Sequence, residues 1–266
     1  MNRNQIIEQI RSKKSYLCIG LDTDIEKIPF HLLADPDPVF SFNKAIIDAT
    51  QELCVSYKIN TAFYESLGSK GWESLEKTVD YIPKNIFTIA DAKRGDIGNT
   101  SSQYAKAFFE TLHFDAITVA PYMGADSVKP FLEYEDKWTI LLALTSNSGA
   151  SDFELQTMGE DYLYEKIIKT SITWGTINNL MFVIGATQPG WFTKIRDISP
   201  DHFYLVPGVG AQGGSLDAIS QKAMNKEIGL LVNVSRAVIY ASSKEDFAEE
   251  ARIAAAAYQK EMSTYL

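Results

Sequence analysis

The stretch IADAKRGDIGNTSSQYAKAF, residues 89–108, runs from an apolar segment through a charged loop into a helical pattern. Its start belongs to the run IFTIAD, residues 86–91, short and nearly all apolar, as suits a strand buried on both faces. Its end belongs to SSQYAKAFFETL, residues 101–112, where apolar residues return every three or four positions, the spacing of a helix with one buried face. Asp91, Lys93 and Asp96 lie in the passage between the two.

The same unit recurs in both directions. Upstream lie YLCIGLD (16–22) and VSYKIN (55–60). Downstream lie DAITVA (115–120), WTILLAL (138–144), MFVIGA (181–186), YLVPGV (204–209) and LLVNVS (230–235). PVFSFNKAIIDATQEL, DYLYEKIIKTSITWGTINN and EDFAEEARIAAAAYQKEM carry further helical patterns, while the unit after Tyr204 has only a short one. Eight units in 266 residues predict an α/β fold, a (β/α)8 TIM barrel, whose usual size is ~250 residues in one domain. A doubly wound open sheet shares this periodicity and stays open as the alternative. The first dozen residues read as an extra N-terminal helix. No linker or charge block divides residues 1–266, so a single domain is expected.

Composition narrows the partners. Apolar residues make up 45% and charged residues 22%, ordinary for a globular chain with a full core. Lys and Arg number 25 against 34 Asp and Glu, a net charge of −9. That sign argues against nucleic acid and anionic membranes as partners, so an anionic ligand needs a local positive site. Cys18 and Cys54 sit in apolar runs and read as buried reduced thiols of a cytoplasmic protein. The scattered charges of the first twenty positions do not resemble a signal peptide, and no run of ~18 apolar residues occurs.

A barrel places its chemistry at the C-terminal ends of its strands. The polar residues there are Asp22, Lys58, Asn60, Asp91, Lys93, Asp96, Thr145, Ser146, Gln212 and Arg236. Asp91 and Lys93 are two apart and share a side on an extended backbone. An ammonium flanked by carboxylates stays protonated, which suits a positioned proton donor better than a Schiff-base nucleophile. The competing reading is a surface ion-pair cluster with Asn99 or Thr100 as helix N-cap. The RGD at residues 94–96 is too short a match to carry meaning.

The loop PGVGAQGGS, residues 207–215, offers backbone N–H groups with Gln212 as an added donor, and Arg236 follows one strand later. Loops after strands seven and eight commonly form the phosphate site of this fold, and a guanidinium suits bidentate phosphate contact. A flexible loop beside a surface arginine is the plainer alternative. Lys58, inside an apolar run, needs a counter-ion, and Asp91 is the nearest candidate. Asp22 reads as a helix cap or a hydroxyl acceptor, and TSNSG, residues 145–149, as a turn or a ligand-facing loop. His31, His113 and His202 show no ligand spacing, so no metal is expected.

These motifs together resemble the orotidine 5′-phosphate decarboxylase family. The resemblance runs through LD at Leu21 and Asp22, YK at Tyr57 and Lys58, DAKRGDIGNT at residues 91–100, TSNSG, PGVGAQGG and SRA at residues 235–237. The Asp-x-Lys-x-x-Asp core is shared with Mg2+-dependent phosphosugar barrels. Its combination with PGVGAQGG and SRA is specific.

The resemblance implies cofactor-free conversion of orotidine 5′-phosphate to UMP and CO2 in pyrimidine biosynthesis. Lys93 would protonate C6, with Asp91 beside the substrate carboxylate and Lys58 and Asp96 completing an alternating charge array. Asp22 and Lys58 would hold ribose hydroxyls, Ser146 the pyrimidine, and Gln212 and Arg236 the 5′-phosphate, with Pro207 at the head of the loop among the substrate-binding residues. Asp96 and Thr100 would act in the neighbouring subunit's site, which requires a homodimer. Either residues 150–165 or residues 208–215 would close over the substrate.

Overall fold

The computed structural model describes residues 1–187, 190–210 and 213–266. Its strands are β1 (Leu17–Gly20), β2 (Ser56–Asn60), β3 (Phe87–Arg94), β4 (Ala116–Val119), β5 (Trp138–Leu144), β6 (Leu180–Ile184), β7 (Phe203–Pro207) and β8 (Leu230–Val234). Each pairs in parallel with the next, and β8 pairs with β1, so the sheet closes and has no edge. Every expected run overlaps one of these strands, and closure excludes the open sheet.

The runs lack alternation because both strand faces are covered. On β2, Tyr57 points outward to the helix Pro38–Thr50, where its hydroxyl lies 2.7 Å from that of Thr50 and donates to Ile47 O at 3.3 Å. Lys58, the next residue, therefore faces the barrel interior. Beneath it the interior is packed by small groups: Cys18 Sγ lies 3.5 Å from Ser56 Oγ and 3.7 Å from Asn233 Oδ1. Burial pushes the Cys18 thiol up to about 12, so it stays protonated. Cys18 and Cys54 are both buried and free.

Local signals start the outer helices. The N-terminal helix Arg3–Lys13 has a capping box between Asn2 and Gln5. Pro38 opens its helix after Asp37, whose carboxylate accepts from Phe40 N at 3.1 Å. That helix packs on Phe247–Met262 through Phe42 and Phe247, with ring centroids 5.1 Å apart.

One expected start differs. The helix after β3 is Gly98–Lys106, followed by a π-helical turn, Ala107–Thr111, and it has no side-chain cap. Gly98, at φ +51°, turns the chain into the helix early. Asn99 and Thr100 consequently lie within the first turn rather than before it. No helix among the described residues is long and apolar enough to cross a membrane.

Candidate active site

Adjacent strands bring four charges together at one rim of the barrel. Asn60 of β2 is in register with Asp91 of β3, so Lys58 and Asp91 converge on the interior. Lys58 Nζ lies 2.9 Å from Asp91 Oδ2 and 3.2 Å from Asp22 Oδ1, and Lys93 Nζ lies 2.6 Å from Asp91 Oδ1. Lys58 is 4% exposed. Burial opposes its charge, but Asp22 and Asp91 more than offset this and hold its pKa well above the ordinary lysine value. Burial likewise opposes the Asp91 carboxylate, yet Lys58 and then Lys93 hold it far below the ordinary carboxylate range. Lys58 and Lys93 thus share the two oxygens of one largely covered carboxylate, that of Asp91.

Asp91 and Lys93 meet as expected, although the backbone between them is not simply extended. Lys93 has φ +47°, a left-handed conformation uncommon for a residue with a side chain. Asp22 is a lysine partner rather than a helix cap.

The cluster opens into a cavity of about 150 Å³. Asp22, Lys58, Asn60 and Asp91 line one side; Pro207, Gly208, Val209, Asn233, Ser235 and Arg236 line the other. Charged centre and expected phosphate end therefore share one space. Arg236 is exposed, and among the described residues its guanidinium meets no carboxylate. β1 comes this close to β8 only because residue 20 is glycine: a Cβ there would sit 2.6 Å from Ser235 Cβ.

The glycine loop corrects part of the expectation. Gly210, Gly213 and Gly214 donate their amides to Gly214 O, Gly210 O and Gly208 O, at 3.3, 2.9 and 3.1 Å. Those N–H groups shape the loop and do not point at a ligand. Gln212 lies outside the described residues.

After β5, Thr145 is held by Glu154. Oε2 accepts from Thr145 N at 2.6 Å, and Thr145 Oγ1 lies 2.8 and 3.1 Å from the two carboxylate oxygens. Ser146 is pressed against Gly185 of the next unit, where a Cβ would come within 2.7 Å of Ser146 N. TSNSG is therefore a tethered loop. Residues 150–165 contain Glu154 and a small hairpin, Thr157–Met158 with Asp161–Tyr162.

Asp96 and Thr100 do not join the cluster within this chain. The Asp96 carboxylate accepts from Ile97 N at 2.8 Å and, among the described residues, pairs with no cation. Thr100 is exposed.

A family model described as orotidine 5′-phosphate decarboxylase / HUMPS matches residues 15–251. The chain belongs to this family. An orotidine 5′-phosphate decarboxylase from Flavobacterium johnsoniae is 60% identical over 266 residues, with 99% of this chain and 97% of the relative covered. The structure of Leishmania donovani OMP decarboxylase superposes with TM-score 0.83 at 35% identity, covering 98% of this chain and all of that one. Leishmania donovani UMP synthase gives TM-score 0.85 at 36% identity, and the match spans 97% of this chain but only 57% of that longer chain.

Set beside the residues expected of an orotidine 5′-phosphate decarboxylase family member, three were missed. Thr118 of β4 touches both Asp91 and Lys93. Glu154 grips Thr145, and Gly185 backs Ser146. A hydroxyl in the middle of the run DAITVA was the available signal for Thr118; nothing local pointed to Glu154.

Proposed function

We propose that this protein decarboxylates orotidine 5′-phosphate to UMP and CO2 without a cofactor. The observation that carries the reading is Asp91, hydrogen-bonded to Lys58 and Lys93 at once, on the wall of the cavity that Arg236 also lines.

In this reading the ribose hydroxyls meet Asp22 and Lys58, the pyrimidine meets Ser146, and the phosphate meets Arg236 with Gln212. Pro207 lines the ribose-to-phosphate passage. The C6–carboxylate bond breaks, CO2 leaves, and its electron pair stays on C6. Lys93 delivers a proton to C6, becomes neutral and is reprotonated from solvent. A carbanion at C6 has little delocalisation, so the required barrier reduction is ~20 kcal/mol, near the upper end for enzymes. An ammonium already oriented by Asp91 stabilises the charge where it develops, with little reorganisation. Asp91 beside the substrate carboxylate disfavours the bound ground state, and that repulsion ends as CO2 departs. Contacts to the remote phosphate supply binding energy that holds the base against this repulsion.

The same reading makes the working unit a cytoplasmic homodimer in which Asp96 and Thr100 reach the neighbouring site. Asp96 has no cationic partner among the described residues. Ile97, Tyr122 and Met123 are 54%, 95% and 44% exposed, an apolar surface that a second copy would cover.

The rival enzyme class keeps the Asp-x-Lys-x-x-Asp core but uses Mg2+ and an enediolate. An ultraviolet assay for loss of orotidine 5′-phosphate separates the two. Full turnover in excess EDTA is expected; strict dependence on added Mg2+ overturns the reading. A silent nucleotide-binding protein is the other rival, and it predicts no turnover under either condition.

A further inference from the structure

Lys93 occupies a strained conformation, and the strain has a local cause. β3 and β4 pair Ala90 with Ile117 and then Arg94 with Val119, so β3 spends extra residues over the same span. Asp91, Ala92 and Lys93 form that bulge. A left-handed conformation at a residue with a side chain costs about 1–3 kcal/mol and persists only where its surroundings enforce it.

Thr118, between Ile117 and Val119, faces the bulge and is 1% exposed. Its Oγ1 accepts from Lys93 N at 2.9 Å and lies 3.1 Å from Asp91 Oδ1. Ala90 O stands farther off, at 3.5 Å, so the hydroxyl proton is best placed on the carboxylate. Asp91 Oδ1 is also the oxygen that holds Lys93 Nζ. Both ends of Lys93, its backbone amide and its ammonium, are thereby tied through one hydroxyl and one carboxylate oxygen. On the other side of the strand Arg94 donates to Ala92 O at 3.0 Å and pairs with Glu65, which braces the bulge from outside.

We propose that Thr118 is the positioning residue of the Asp91–Lys93 pair, fixing the direction from which the Lys93 ammonium reaches the substrate. The inference rests on the reading of Lys93 as proton donor. Thr118 does not touch the reacting atoms; it acts through the two residues that do. A valine would preserve its shape and remove both hydrogen bonds, leaving the Lys93 amide free to leave the left-handed conformation.

The test compares Thr118→Val, Thr118→Ser and Lys93→Ala in steady-state assays on orotidine 5′-phosphate, with a melting temperature for each. Thr118→Val is expected to lower kcat about 100-fold, the loss typical of a reacting group displaced by about 1 Å, while KM stays within about threefold. Thr118→Ser keeps the hydroxyl and is expected to retain kcat within about threefold. A folded Thr118→Val enzyme with parental kcat, beside an inactive Lys93→Ala enzyme, overturns the positioning role and leaves the reading of Lys93 intact. Parental turnover by Lys93→Ala overturns that reading, and the inference with it. If the valine variant does not fold, serine decides: parental kcat supports the hydroxyl's role, and collapsed kcat at a parental melting temperature overturns it.

Discussion

Lys58 and Asp91 face each other across β2 and β3 at 2.9 Å, and each holds the other in its charged form against burial. The linkage runs in opposite senses for the two. Asp91 is depressed below 3.8, so its contribution to stability is present above that pH and is lost as pH falls further. Lys58 is raised above 10.5, so its contribution is complete below that pH and is lost only at higher alkalinity. Between those limits the pair stays doubly charged, the form in which the site must work.

Replacing Lys58 tests this relationship. Lys58→Met fits the space but leaves Asp22 without its partner and Asp91 with only Lys93. Breaking a buried pair from one side is expected to cost about 3–5 kcal/mol of stability, read from urea unfolding at pH 7. The penalty should shrink as pH falls toward 3 and the carboxylates take up protons. A constant penalty across that range would show that lost packing, not charge, is responsible.

The barrel was legible because each strand is covered on both faces, which leaves an unbroken apolar run in the sequence. Lys58 and Asp91 stood out for the converse reason, since a charge inside such a run must be paired. The Thr118 hydroxyl was only a faint signal, because threonine is an ordinary strand residue and its partners lie on the neighbouring strand. Glu154 was invisible too: its target, Thr145, lies nine residues earlier across an irregular turn. The misplaced helix start came from Gly98, whose left-handed turn begins the helix before the residues that look like caps.

Glu154→Ala should then act on binding and stability together. It leaves the Thr145 amide without an acceptor, at a cost of about 1–3 kcal/mol, and frees the loop that carries Ser146. A higher KM for orotidine 5′-phosphate and a lower melting temperature are expected. An unchanged KM would show that the tether does not reach the substrate.

Arg236→Ala isolates the phosphate end. UMP binding measured by calorimetry should weaken by about 1.5–3 kcal/mol, the worth of hydrogen bonds to a charged group, because the phosphate loses its guanidinium partner. Uridine, which lacks the phosphate, should bind both proteins alike. Equal weakening for the two ligands would place Arg236 elsewhere than at the phosphate.

Shared sites predict complementation. Lys93→Ala and Asp96→Ala proteins should each be inactive, and after subunit exchange the mixture should recover turnover. In a mixed dimer one site combines an intact Lys93 with an intact Asp96 from its neighbour. Absence of recovery after exchange has been verified by mass would count against a contribution in trans.

The acid limb of stability should belong to His202, at the far end of the barrel. Its ring lies 5.5 Å from Phe182, and among the described residues neither ring nitrogen has a hydrogen-bond partner. Burial, and then the nearby Arg3 and Arg196, lower its pKa from 6.5 to about 4. Between those values the unfolded chain binds a proton that the folded protein refuses, so stability falls as pH drops through the interval. A shift of that size corresponds to about 3 kcal/mol. Asp91 does not contribute there, because its own window lies below 3.8. In His202→Phe the proton-accepting group is gone from both states, and the fall in melting temperature between pH 6.5 and pH 4.5 should flatten. The comparison is between slopes, so any packing change made by the phenyl ring cancels. An identical slope in the two proteins would assign the acid sensitivity to other groups.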